Sequence, residues 1–451
     1  MRRYTLRPLS VPNAMRLRRF IYTSTMYLLT PVILYRLAIR GLRYPEYFQR
    51  WQERFGFFGD PKIHDSIWIH AVSMGEVNAA MPLIDALMRC YPDTPFVITT
   101  VTPTGSERVR RVYGNRVFNV YLPYDLPASI RRFLDRVRPR LAVVMETEIW
   151  PNLFFECQTR GIPLIVANAR LSEKSFRGYG PVRPLAKHAL ASARYVAAQS
   201  ATDAGRLRDL GAEPERLGIF GNLKYDMSVP NELAGQARAM RAQWGARRPV
   251  WIAASTHEGE EEVVIEAHAA VLRQFSDALL LFVPRHPERF KPVVQQCREA
   301  GLATRTRSED RMAASDTQCF VVDTLGELLR FYAAADVAFV GGSLVPIGGH
   351  NVLEPAALSV PVVVGPKTFN FVEITASLID AGAALRVEDG DELAAAVMKL
   401  LADAPLRARL GSAGRAAFER EQGGVLRTVE VVEKILDAGT SPPDAPTATA
   451  R

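Results

Sequence analysis

From residue 66 onward, short apolar runs alternate with longer segments of helical spacing, and the alternation occurs twice along the chain. Runs of this kind are too short for helices and too continuously apolar for half-exposed strands. They read as strands buried on both faces of a parallel sheet, joined by crossover helices. The first series is expected at 66–71, 96–100, 117–121, 141–145, 164–167 and 195–198. A break falls near 227–232, a helix runs to Gln243, and a second series follows at 250–254, 278–283, 320–322, 337–340 and 360–364. The pattern predicts an α/β protein of two Rossmann-like domains in tandem, 46–228 and 229–438, facing a cleft. Ligands of such sheets bind beyond the carboxyl ends of the strands. With 451 residues, 48% of them apolar, the chain can bury two such cores. Residues 439–451, rich in Pro, Thr and Ala, read as a disordered tail.

Charge separates a third region. Residues 1–45 carry nine Arg and no acidic residue, and the remaining 47 basic and 48 acidic side chains leave 46–451 at −1. The formal +8 is therefore N-terminal, which argues against a nucleic-acid binder. Those arginines flank an uncharged stretch from Phe20 to Tyr35, interrupted by Pro31. Its length falls short of the roughly 20 residues that span a bilayer. A membrane-associating helix is expected within 1–45, with basic flanks for anionic headgroups and Tyr22, Tyr27 and Tyr35 for the interface. The competing reading is a buried helix with solvated arginines. Cys90, Cys157, Cys297 and Cys319 lie far apart in sequence and suggest neither a metal knuckle nor a disulfide framework.

The most distinctive motif, residues 341–355, holds Gly341, Gly342, Gly348 and Gly349 between an apolar strand and a helix. Glycines permit close backbone approach, and a helix start offers unpaired N–H groups. The run therefore reads as a cradle for a nucleotide phosphate, with Glu354 available to a ribose hydroxyl. It lacks the ending of a P-loop and the spacing of a dinucleotide fingerprint. A merely topological turn is the alternative.

Other polar turns also fall at strand ends. Glu76 follows the first strand and opens a helix, where it can act as a general base or simply complement the dipole. The dipole favours its ionised form, which makes it a weaker base. Glu146 and Glu148 follow the fourth strand, and for Glu148 a helix-capping role is preferred. Asn168 to Ser172 follows the fifth strand, and Lys224 lies near the domain junction. In the second domain, Ser255 to Glu260, Arg285 and Gly326 fall at three further strand ends. The histidines show no metal-ligand spacing, and Asp389 reads as an N-cap rather than a metal ligand. No metal or cofactor is expected.

Taken in order, these segments closely resemble the 3-deoxy-D-manno-octulosonic acid (Kdo) transferases of lipid A biosynthesis: His70 to Glu76, Glu146 to Asn152, Asn168 to Ser172, Gly221 to Lys224, Ser255 to Glu260, Pro284 to Arg289, and 341–355. The resemblance extends over nearly all of the chain and implies a GT-B glycosyltransferase. Such an enzyme moves Kdo from CMP-Kdo to a lipid A precursor at the cytoplasmic face of the inner membrane. By similarity Glu76 is the proton acceptor, while Glu146 and Lys224 stabilise the transition state. Pro284, Arg285, Leu325, Gly326, Glu327, Asn351, Val352, Leu353 and Glu354 hold CMP. An isomerase of the nucleotide-sugar 2-epimerase type and a non-catalytic, membrane-attached nucleotide-sugar binding protein remain alternatives.

Overall fold

The computed structural model describes residues 13–440 except 228, 310 and 311. The start of the basic segment (1–12) and residues 441–451 of the expected tail lie outside the described residues. The chain divides into two compact units, residues 1–227 with 422–451, and residues 228–421.

The first unit is built on a parallel sheet of β1 (Ser66–His70), β2 (Phe96–Thr100), β3 (Phe118–Tyr121), β4 (Pro139–Met145), β5 (Leu164–Ala169), β6 (Tyr195–Ala198) and β7 (Leu217–Ile219), in the order β3-β2-β1-β4-β5-β6-β7. The second carries β8 (Val250–Thr256), β9 (Leu279–Pro284), β10 (Thr304–Thr306), β11 (Cys319–Val321), β12 (Val337–Val340), β13 (Val362–Val364) and β14 (Ala384–Arg386), in the order β10-β11-β9-β8-β12-β13-β14. In each sheet the chain order reverses beside the first strand, and apolar clusters cover both faces. Every strand expected from the sequence is present. The three not anticipated, β7, β10 and β14, have three residues each and lie at sheet edges, where no long apolar run is required.

The last helix departs from the expected boundary at 438. Helix Gly424–Thr440 belongs with the first unit, where Val429, Val432 and Leu436 join Val77, Leu83 and Leu87 of α2 (Met74–Cys90) in one core cluster. Asp226 fastens the return, accepting from the backbone N–H groups of Gly423 and Val425. Sequence order alone does not reveal a helix that leaves one sheet to pack on another. Cys297 and Cys319, also distant in sequence, meet in the second core with their Sγ atoms 3.5 Å apart, both as free thiols.

The N-terminal helix, α1 (Asn13–Arg43), continues through Pro31. Its apolar residues are mostly exposed, Leu28 by 79% and Leu42 by 80%, which weighs against a buried helix. No helix among the described residues is long and apolar enough to cross a membrane. Polar contacts hold α1 to the first unit. Tyr22 donates to Asp125 Oδ2 at 2.8 Å, Arg19 pairs with Glu156 at 2.8 Å, and both Arg19 and Thr23 donate to Asn152 Oδ1.

Asp125 is the centre of that latch. Buried to 1% exposure, it also accepts from the N–H groups of Asn152 and Leu153 and so caps helix Pro151–Thr159 from a distant segment. This corrects the capping role expected of Glu148, whose carboxylate instead accepts from the Trp150 indole at 2.7 Å. Removing Asp125 leaves two helix-start donors and a tyrosine hydroxyl unpaired. Asp125→Ala is expected to cost about 2–4 kcal/mol, read by urea unfolding of the first unit's signals.

Candidate active site

Glu76 sits in the third position of α2, after the N-cap Ser73. The Ser73 hydroxyl accepts from the Glu76 N–H. The Glu76 carboxylate in turn accepts from Val72 N at 2.9 Å and Ser73 Oγ at 3.2 Å. This is a capping box whose acid reaches one residue before the cap, so the dipole-complementing role is real. Burial nevertheless outweighs these bonds. With Glu146 and Glu148 adding repulsion, it raises the Glu76 carboxyl to about 7. The expected depression of its basicity by the helix start is thus overturned. A carboxylate near 7 is matched to accepting a proton at neutral pH.

Glu146 follows β4 with φ of 54°, a left-handed conformation uncommon for glutamate, and its N–H is held by the Ala167 carbonyl at 2.9 Å. Asn168, at a bulge in β5, is also left-handed, with φ of 54°. Its Oδ1 accepts from Leu223 N at 3.0 Å, which fixes the short helix Leu223–Asp226. Leu223 packs in the same cluster as Val77 and Ala80, bringing the half-buried Lys224 alongside α2. The three predicted residues of this unit therefore share the carboxyl edge of one sheet. Of the three, only Glu146 is itself left-handed; Glu76 is placed by a helix start and Lys224 by the short helix that the left-handed Asn168 fixes.

In the second unit the glycine run does not behave as expected. Glu260, fully buried, places its carboxylate on the N–H groups of Gly342, Ser343 and Leu344, with distances of 2.6–3.2 Å, and also accepts from His257 N. The anion in the cradle belongs to the protein. The glycines answer to internal packing too: a Cβ on Gly341 would lie 2.8 Å from Glu260 Oε2, and one on Gly342 only 3.0 Å from the His350 ring. Nor is the following helix start open. Leu353 N is taken by Asn351 Oδ1 at 3.1 Å, and helix Leu353–Ala357 has only five residues. Amides that look unpaired along the sequence do not await a ligand here, because a carboxylate 83 residues from Ser343 fills them.

The other predicted nucleotide residues divide by what remains available. Val352 and Leu353 are buried whole, at 1% and 0% exposure, and the half-buried Glu354 accepts from Asn351 Nδ2 at 3.1 Å. Burial raises the Glu354 carboxyl. Pro284 ends β9 and is buried, whereas Arg285 is exposed and forms no salt bridge among the described residues. Glu327 is gripped by Arg307 through two bonds of 2.9 and 3.0 Å and by Arg330, and the Arg307 bonds hold its carboxyl below the usual range. Its side chain thus steadies the turn. Leu325, 55% exposed, and Gly326, with φ of 88° and open space where a Cβ would stand, are left free to meet a ligand.

Sequence spacing also missed a cluster. His257, after β8, His286, after β9, and His350, at the end of the glycine run, come together although nothing in their spacing announces it. The only sequence signal was that each lies in a strand-end turn. No group suited to a metal ion occurs among the described residues.

Two parallel-sheet units with polar turns at their carboxyl edges define a two-domain glycosyltransferase architecture of the GT-B class. Residues 256–417 match the family of glycosyl transferases group 1, and residues 49–227 match the 3-deoxy-D-manno-octulosonic-acid transferase (kdotransferase) family. A 3-deoxy-D-manno-octulosonic acid transferase from Haemophilus influenzae is 42% identical over 93% of this chain and 99% of its own length. One from Bordetella pertussis is 37% identical over 89% and 99%. A UDP-GlcNAc 2-epimerase from Neisseria meningitidis, solved with UDP-GlcNAc, shares the fold at 12% identity, with a TM-score of 0.56, over 82% of this chain and all of that one. The chain belongs to the 3-deoxy-D-manno-octulosonic acid transferase family.

The internal role of the glycine run is testable. Glu260→Ala would leave four backbone N–H groups buried without a partner, at roughly 1–3 kcal/mol for each one that water cannot reach. The expected outcome is loss of at least about 3 kcal/mol by denaturant unfolding, with Glu260→Gln recovering part of it. Unchanged stability in the alanine variant would mean that the carboxylate is dispensable there.

Proposed function

We propose that this chain transfers Kdo from CMP-Kdo to the sugar hydroxyl of a lipid A precursor of the lipid IVA type, releasing CMP. The observation that carries the reading is Glu76: a half-buried carboxylate at a strand's carboxyl end, raised to about 7, on a chain whose family is named for this transfer. In the reaction, Glu76 takes the acceptor hydroxyl's proton as that oxygen bonds to the anomeric carbon. The bond from that carbon to the phosphate oxygen breaks, and its electrons leave with CMP. Glu146 faces the positive charge that develops on the sugar, and Lys224 the negative charge of the leaving group or of Kdo's carboxylate. Arg285 meets the CMP phosphate, while Pro284, the turn of Leu325 to Glu327, and Asn351 to Glu354 seat the nucleotide. The residues named for these roles need neither metal nor cofactor.

The acceptor accounts for α1. A phosphorylated, acylated disaccharide stays in the bilayer, and an exposed apolar helix with arginines at both ends suits the cytoplasmic surface of the inner membrane. The direct test is mass spectrometry of lipid IVA incubated with CMP-Kdo and the full chain. A mass gain of one or more Kdo units supports the reading, and an unaltered lipid overturns it.

Two predictions concern the base. Glu76→Ala is expected to lower turnover at least about 100-fold while CMP binding, measured by calorimetry, stays unchanged. Equal turnover in variant and parent would remove Glu76 from the chemistry. The reactive form is the deprotonated one, so kcat/KM for the acceptor at saturating donor should fall tenfold per pH unit below an apparent pKa near 7 and level off above it. A profile flat down to pH 5 would contradict the assignment.

A further inference from the structure

Nothing in the proposed reaction uses the three clustered histidines of the second unit. His257 Nε2 and His350 Nε2 lie 2.7 Å apart, with the rings 6° from parallel and their centroids 5.0 Å apart. His286 stands edge-on to His257 at 5.2 Å. Two imidazole nitrogens at hydrogen-bond distance need one proton between them, since two protons clash and two lone pairs repel. The resting pair is therefore N–H···N.

The surroundings oppose any further charge. Burial first, then Arg285 and the neighbouring histidines, hold His350 down to about 3, and His257 is lowered by burial, His286 and Arg285. None of the nearby carboxylates forms an ion pair with the three imidazoles among the described residues. Glu260 lies on the amides of the glycine run and on His257 N, Glu354 accepts from Asn351 and also feels the charge of Arg285, and Glu258 pairs with Arg289 at 3.3 Å. The result is a group of cationic and protonatable side chains from three strand-end turns, next to an arginine without a salt bridge among the described residues. An added anion would reverse the balance that keeps the pair neutral.

We propose that His257 and His350 form a proton-coupled phosphate grip beside Arg285: when the phosphomonoester of CMP binds there, the pair takes up one proton from solvent. No covalent bond between heavy atoms changes. The second proton ends the N–H···N contact and turns the accepting nitrogen into a donor toward phosphate. The inference rests on the donor reading above and adds a reason for the site's design. The phosphodiester of CMP-Kdo carries one charge, and cleavage gives a phosphomonoester able to carry two, which the extra proton offsets.

Calorimetric titration of the full chain with CMP, in buffers of different ionisation enthalpy at pH 8, tests it. CMP is a dianion there, because a phosphomonoester's second pKa is about 6. Uptake approaching one proton per CMP is expected. His257→Gln and His350→Gln should each abolish the uptake and weaken binding about tenfold or more, the equivalent of one pKa unit. CMP binding without uptake, with Kdo transfer intact, overturns the grip and leaves the transferase reading standing. Uptake that survives in both variants assigns the proton to the phosphate and also overturns the grip. Failure to bind CMP or to transfer Kdo overturns both.

Discussion

A carboxylate taken out of solvent beneath backbone N–H groups holds three of the strand-end turns of this protein in place. Glu260 does this for the glycine run, Asp125 for the start of helix Pro151–Thr159, and Glu76 for the turn into α2. The constraint comes from the parallel sheets. Within each sheet every strand ends at the same edge, so the turns there carry amides that no ladder satisfies, and an anion is the efficient partner for several at once. Two of the three carboxylates are closed off by this role. Glu76 is held by fewer bonds, is less buried, and is pressed by two other acids. That difference separates a structural acid from one able to exchange a proton.

The same division explains the nucleotide side. Because Glu260 fills the amides of Gly342 to Leu344, the partners proposed for the phosphate are side chains instead, namely Arg285, His257 and His350. Gly342 is close enough to His350 that a methyl group there would crowd the ring. The glycines of the run are shaped by different protein groups, Gly341 by Glu260, Gly342 by His350 and Gly348 by Phe369 and Asn370.

Much of the fold was legible because parallel strands buried on both faces need continuous apolar runs, and all eleven expected runs are strands. The short edge strands were not legible, since one-sided pairing asks little of their composition. Polar residues directly after apolar strands are costly without a role, which singles out Glu146 and Arg285, whereas Glu76 reads equally as a helix-start acid until the family motif gives it a role. The Glu260 cradle, the Asp125 cap, the His257–His350 pair and the return of helix Gly424–Thr440 were not legible, because each joins segments far apart in the chain. Periodicity and spacing report what neighbours in sequence do. These contacts are made by neighbours in space.

A crystal structure of the full chain with CMP bound would test the central division most directly. The phosphate is predicted to lie on Arg285, His257 and His350, with the Glu260 carboxylate still seated on the N–H groups of Gly342, Ser343 and Leu344. A phosphate bound to those amides, with Glu260 displaced, would contradict the account.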